Sequence, residues 1–299
     1  MKLSTVSLFK NLNSGNRDLI ELDDETLKRM QKVILSIAED IIEVCEANNI
    51  HYCLGGGSAL GAMRHQGFIP WDDDMDLNMT RRSYERFIPL FTEKYGDRYW
   101  IHTPEATSDY GMTLARIRLK GTVLRGREDF ANEECGMFVD LFVIENTFDF
   151  APFRYLHGFF SMAMGFLLSC RNFYQNRRNL MALAEGNRQA RKIFRIKIGI
   201  GRLLSFWSVD RWTHLTVKCY SCCHNHHSRF VVVPSGRNHF FGEQYLRKKF
   251  CAVRKLKFEG HDWNVPRDIE GYLKHMYGDY RKIPPASQQE KHVVLDIKF

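Results

Sequence analysis

From Asp24 onward, apolar residues recur at Leu27, Met30, Ile34, Ile37, Ile41 and Val44. That three-and-four spacing predicts a helix with one buried stripe, closed near Asn48-Asn49. Ile50–Leu54 reads as a short strand broken by Gly55-Gly56-Gly57, with Ser58 placed to cap a helix running to about His65. Asp74–Met79 alternates polar and apolar, which predicts a strand with Met75 and Leu77 turned into the core. A helix through Tyr84, Phe87 and Phe91 follows, with Pro89 against it, and strand-like runs appear at 98–102, 112–119 and 136–144. Helical and strand periods interleave up to about residue 150, so the fold class expected is α+β, a mixed sheet flanked by helices. Residues 1–23 read as a polar lead-in to a single domain, 24–299, whose core is 24–150.

The pattern changes at 151–228. Gly158–Cys170 contains no charge and lies between Arg154 and Arg171. It is too short to span a hydrocarbon layer of about 30 Å as a helix, and suits either a buried core helix or an interfacial or re-entrant segment. Beyond it, Ile193, Ile196, Ile200, Leu203, Leu204 and Trp207 share one helical face, with Arg188, Arg191, Arg195 and Arg202 away from it and Lys197 breaking the pattern. Such a helix suits either a solvated surface or an anionic membrane. This stretch is read as a basic helical insertion that associates with a membrane. The chain is compact again over 229–299, a C-terminal cap with a strand-like RFVVV, a turn at Pro234-Ser235-Gly236, and the segments FEGHDWNVP and YGDYRKIPP.

Composition narrows the classes. The chain has 299 residues, 44% hydrophobic and 26% charged, a soluble-globular balance that excludes disordered, collagenous and polytopic membrane chains. Eight cysteines are too dilute for a disulfide scaffold, and MKLSTVSLFKNLNSGN turns polar before any signal-length apolar run, so reduced thiols in a cytoplasm are expected. The net charge of +8 would ordinarily suggest a polyanionic partner, yet residues 171–218 alone carry +9 and the remainder −1. One segment is basic, and the body is not.

The densest chemistry lies in Leu54–Asn78, LGGGSALGAMRHQGFIPWDDDMDLN. Gly56, Gly57 and Ser58, between a strand and a helix, put free N–H groups where a phosphate binds well. Asp74 and Asp76, two apart in a strand, share a face; side-by-side carboxylates need a cation, and hard oxygen ligands select Mg²⁺ or Mn²⁺. Asp140 stands inside the apolar strand MFVDLF, where an unpaired carboxylate is costly, so it requires a cation or a partner. Asp72 and Asp73 read as a solvated turn or as support for the others. Gly-Ser at a helix start, Asp-x-Asp in a strand and a third acid on a neighbouring strand form a nucleotidyltransferase-like signature. Cys219, Cys222 and His226 offer soft ligands for Zn²⁺, but the usual distant second pair is missing.

The signature resembles that of the LicD/fukutin phosphotransferase family, G-(S/T)-x-L-G-x-x-R-H-x-G-F-I-P-W-D-D-D-x-D. It stands here as Gly57, Ser58, Leu60, Gly61, Arg64, His65, Gly67, Phe68, Ile69, Pro70, Trp71, Asp72, Asp73, Asp74 and Asp76. The resemblance continues through Arg116–Thr122, GMFVDLF, Phe258-Glu259-Gly260, Tyr277–Tyr280, Pro284-Pro285 and His292. It implies transfer of a phospho-substituent from a CDP-activated donor to a glycan hydroxyl with release of CMP. Phosphocholine is the group moved by many bacterial members, onto teichoic acid or lipopolysaccharide, and phospho-alditols by the animal relatives. Within that chemistry Mg²⁺ or Mn²⁺ on Asp74, Asp76 and Asp140 would neutralise the diphosphate. Arg64, Arg116 or Arg118, and Lys120 are candidate phosphate clamps, while Asp140 would ligate the metal and orient the acceptor hydroxyl and His65 or His292 would accept its proton.

The partners expected are therefore a CDP-linked donor, a glycan or lipid-linked glycan acceptor and an anionic membrane surface, with no nucleic acid. The expected location is cytoplasmic, peripheral at the inner face of the membrane. Two other readings stay open: a nucleotidyltransferase passing NMP to a small molecule, and a non-catalytic membrane- or nucleic-acid-binding protein using the basic segment.

Overall fold

Helix α1 (Asp24–Ala47) starts where the Asp23 carboxylate accepts the Thr26 N–H at 2.7 Å, a side-chain cap on an otherwise open end. Its predicted stripe is real: Met30, Ile34, Ile37 and Ile41 are wholly buried. Asn49, at φ +51°, turns the chain into strand β1 (Tyr52–Leu54). Residues 20, 22–126, 129–130, 132–285, 289 and 294–299 are described in the computed structural model. Among these no helix is long and apolar enough to cross a membrane.

The central sheet is mixed, as expected for the α+β class. It is built from β1, β2 (Asp76–Thr80), β6 (Phe138–Asn146), β4 (Ala115–Leu119) and β3 (Tyr99–His102), in that order. β2 and β6 run parallel and the other neighbours antiparallel. Strands β7 (Phe230–Val232) and β8 (Gln244–Leu246) extend the far end of β6. A lesser pair joins β5 (Val123–Arg125) to β11 (Asp296–Lys298), and β9 (Val253–Phe258) forms a hairpin with β10 (His261–Pro266). Helix α1 packs on β4, β6 and helix α3 (Arg81–Tyr95), so the sheet's central strands lie under one continuous apolar layer. Pro89 lies inside α3; Phe87 and Phe91, both fully buried, hold that helix together by packing.

Two local expectations need correction. Ser58 is not the cap of its helix: α2 (Gly56–Arg64) begins two residues earlier behind Gly55, because Gly56 adopts φ +42°, and the Ser58 hydroxyl accepts the Asp76 N–H instead (2.9 Å). The strand expected from Asp74 begins at Asp76, leaving Asp74 in the preceding loop.

Residues 151–220 are helical: α4 (Ala151–Gln175), α5 (Arg177–Leu183), α6 (Arg188–Leu203) and α7 (Val209–Tyr220). The uncharged run is buried at one end and exposed at the other. Its C-terminal half, with Leu168 and Cys170, is covered by α6 and α7, whereas the N-terminal half of α4 exposes its aromatic side chains. Lys197, out of place in the helical pattern, is buried with its Nζ donating to Ser169 Oγ (2.8 Å) and lying 4.3 Å from the Phe173 ring centre. Its aliphatic stem serves as an apolar residue there. Two single turns, α8 (His239–Gly242) and α9 (Arg247–Phe250), and helix α10 (Ile269–Tyr277) complete the chain.

Candidate active site

Strand register places three side chains in a row: Asp76 on β2 lies opposite Asp140 on β6, and Asp140 opposite Arg116 on β4. Directly opposed residues share a sheet face. The Asp140 carboxylate, nearly buried, receives Arg116 Nε at 2.6 Å and Nη2 at 2.8 Å. The sequence required a cation or partner for this acid, and the structure supplies Arg116, whose guanidinium lies 3.6 Å over the Phe138 ring. A two-pronged pair of this kind fixes a carboxylate's orientation.

Helix α2 meets β2 end-on. Gly55 N–H bonds the Asp76 carbonyl (2.9 Å), and Gly56 N–H donates to the Tyr272 hydroxyl (2.9 Å). A Cβ on Gly56 would collide with Asp76 Oδ2, and one on Gly57 would come within 2.6 Å of Asp72 Oδ2. Both glycines are thus the space into which carboxylates fit at the positive end of a helix. Loop 72–74 brings the Asp72, Asp73 and Asp74 carboxylates within 4.8 Å of one another, the only such group of His, Cys, Asp or Glu donors among the described residues. An all-oxygen set of carboxylates fits a hard divalent cation, Mg²⁺ or Mn²⁺.

These residues line one open cavity of about 910 Å³. Gly56, Gly57, Arg64, Asp74, Asp76, Arg116 and Asp140 all face it. Among the other sequence candidates, Ser58 sits beneath it, bonded to Asp76. His65 lies to one side, where its Nε2 accepts Arg64 Nε–H (2.9 Å); burial and then the Arg64 charge hold this imidazole below its usual range, hence neutral near pH 7. Arg118 is completely buried and bonded to Asp129 (2.7 Å) and Lys120 reaches the Gly96 carbonyl (2.8 Å), so neither lines the cavity. His292 lies outside the described residues. Among the described residues Cys219, Cys222 and His226 form no group of three donor atoms within 4.8 Å: Cys222 is exposed, Cys219 faces Ser161, and His226 approaches Asn146.

Sequence reasoning missed the far wall, which comes from the C-terminal part of the chain. Tyr272 holds Gly56, and Arg64 Nη1 bonds the Tyr280 carbonyl (3.0 Å). The Tyr277 hydroxyl is pushed up by burial and by the Asp76, Asp72 and Asp74 carboxylates, against the pull of Arg237. Tyr277 and Tyr280 lay within the resembling motif, which was the available signal; nothing marked Arg237 or Glu243.

Glu243 is buried in this wall, with Oε1 accepting the Asn238 N–H (3.0 Å), and burial pushes its carboxyl up to about 7. The folded state then holds this proton more tightly than the unfolded chain, whose ordinary value is 4.5. Stability must fall as pH rises from the unfolded to the folded value, by on the order of 3 kcal/mol for a shift of this size. Glu243→Gln keeps the acceptor and removes the titration. Its melting temperature should exceed that of the natural chain at about pH 8 and converge with it at about pH 4. Parallel curves across that range would rule out the assignment.

Parts of the chain are similar to known proteins. Residues 49–152 match the family described as LicD/FKTN/FKRP, nucleotidyltransferase domain. The chain is 26% identical over 279 residues to the lipopolysaccharide cholinephosphotransferase LicD of Haemophilus influenzae, covering 91% of this chain and 97% of that protein. It is 44% identical over 48 residues to the human ribitol 5-phosphate transferase FKRP, which is 16% of this chain and 10% of the relative. An uncharacterized protein of Rickettsia prowazekii is 31% identical over 119 residues, covering 31% of this chain and 45% of its own length.

Proposed function

We propose, from the match of residues 49–152 to the LicD/FKTN/FKRP nucleotidyltransferase domain, that this chain is a phosphotransferase moving phosphocholine or a related phospho-alcohol from a CDP-activated donor to a hydroxyl of a cell-surface glycan. The observation that carries the reading is the registered row Asp76–Asp140–Arg116 under a glycine helix start, with the Asp72–Asp74 carboxylates in the same cavity. Similarity to a lipopolysaccharide cholinephosphotransferase over nearly its whole length supports the substituted-phosphate chemistry, and makes lipopolysaccharide the first acceptor to try.

Asp74 and Asp76, with Asp72 and Asp73 beside them, would hold Mg²⁺ or Mn²⁺; when bound, such an ion screens the donor diphosphate and the charge that builds on departing CMP. The chain's own contribution is placement. Arg116 locks Asp140 so that its carboxylate cannot swing, and the acidic row stays preformed. Arg64, tied to the Tyr280 carbonyl, and Arg237 present positive charge to the phosphates from the cavity wall. The acceptor hydroxyl oxygen forms the new P–O bond as the bond to CMP breaks, and its proton passes to a cavity carboxylate.

Incubation with CDP-choline, Mg²⁺ and lipopolysaccharide should yield CMP in step with phosphocholine on the glycan, read by anion-exchange chromatography and mass spectrometry. Thermal-shift screening of CDP-choline, CDP-ribitol, CDP-glycerol and CDP-ethanolamine would rank the donors. Release of pyrophosphate in place of CMP, or stabilisation by non-cytidine nucleotides alone, would refute the reading.

A further inference from the structure

Of the twelve large apolar side chains exposed among the described residues, seven fall within the thirteen positions Phe150–Met162. Phe150, Tyr155 and Phe159 are each more than 60% exposed, and Phe153, Leu156 and Phe160 more than 50%. The rings brace one another: Phe150 and Phe153 meet edge-on at 5.3 Å, as do Phe159 and Phe160 at 5.7 Å. Phe241, from α8, extends the same patch by stacking on Tyr155, and Gly158 leaves the space for its ring. Within 150–162 the one Asp, Glu, Lys or Arg residue is Arg154. It folds back to the carbonyls of Phe148 and Asp149 and lies over the Phe230 ring. A braced aromatic surface of this extent is far from the scattered exposure usual on a soluble chain.

Charge identifies what covers it. Helix α4 packs against α6 and α7, whose exposed side chains include Arg188, Arg191, Lys192, Arg195, Arg202 and Lys218. The segment 171–218 carries +9, and one of its two acids, Asp210, already accepts the Asp109 N–H. Self-association through the patch would press two such segments together, whereas an anionic surface would attract both helices at once.

We infer that the aromatic face of α4 together with Phe241 rests in the headgroup–acyl boundary of a membrane containing anionic lipid, with the basic helices beside it drawn to the lipid charge. This goes beyond the phosphotransfer reading and stands without it. It also bears on access: Phe241 follows by a few residues the segment Ser235–Arg237, which lines the active-site cavity, so patch and cavity wall belong to one short stretch of chain.

Flotation of the full chain with vesicles tests the inference. The protein should float with phosphatidylcholine vesicles containing about one-third phosphatidylglycerol and much less with phosphatidylcholine alone. Phe153→Ser, Phe159→Ser and Phe160→Ser combined should lower the partition at least about tenfold. Arg191→Glu with Arg195→Glu should lower it by a comparable factor, and added salt should weaken it. Phosphocholine transfer from CDP-choline to a soluble acceptor, with release of CMP, should be unchanged in the phenylalanine variant, so loss of flotation is separable from loss of chemistry. The inference is overturned if the natural chain stays unbound with both vesicles, or if the phenylalanine variant floats equally well. Equal flotation with both vesicles removes the anionic requirement. Sedimentation showing a dimer that the phenylalanine variant dissociates assigns the face to a second copy instead.

Discussion

Asp76→Asn is expected to fold like the natural chain and to release CMP about 10³-fold more slowly at saturating donor and Mg²⁺. The substitution is isosteric and leaves in place two main-chain bonds of residue 76, its N–H to Ser58 and its carbonyl to Gly55. What disappears is one negative charge at the head of β2, opposite Asp140 and against the start of α2. Electrostatic groups aimed at charge that develops in the transition state are each worth about 10²–10³ in rate, and one that also helps to hold a divalent ion belongs at the upper end. The measurement is a single-turnover rate beside a circular-dichroism melt. Full Mg²⁺-dependent activity in the variant would remove Asp76 from the site and leave the acidic loop a structural turn.

Arg116→Met should damage stability most. The Arg116 and Asp140 side chains are each only 9% exposed, and the pair is bonded through both prongs. Deleting one partner of a buried ion pair costs about 3–5 kcal/mol, because the remaining charge stays buried without compensation. Here the remaining carboxylate also faces Asp76, a like charge on the next strand. Urea unfolding should therefore show a markedly lower midpoint with an unchanged slope. Arg116→Met combined with Asp140→Leu should recover most of the loss, since an apolar pair at these positions carries no stranded charge, while activity stays low in both. A single-variant cost below about 1 kcal/mol would show that solvent reaches the pair and screens it.

Local periodicity made α1 legible nearly to the residue, because its burial repeats with the helix turn and Asn48-Asn49 mark its end; the Asp23 cap at its start went unread. The acidic strand was legible for the same reason: Leu77 and Met79 alternate with polar neighbours. Ser58 misled because serine before an apolar run ordinarily caps a helix, whereas Gly56 at positive φ starts this one earlier and releases the hydroxyl for Asp76. The Arg116–Asp140 pair needs the register of β4 against β6, which no window of local sequence contains; each residue was a candidate, but for separate tasks. Lys197 broke a helical pattern that the folded chain satisfies with a neighbouring serine and a ring. The wall formed by Tyr272, Tyr277 and Arg237 is remote in sequence from the acids it faces. Only the resembling Tyr277–Tyr280 segment hinted that it mattered.

That remoteness has a consequence in time. Gly56 bonds Tyr272 and Arg64 bonds Tyr280, each across 216 residues, and Phe68 N–H bonds Glu259 across 191. A ribosome adds about 5–20 residues per second, so after the glycine turn emerges it waits on the order of 10–40 s for its partners to be made. Throughout that interval the nascent chain carries its aspartates without the aromatic wall that will enclose them. The site is therefore enclosed only once residues 272–280 have left the exit tunnel, and the exposed aromatic run of α4 is synthesised well before them.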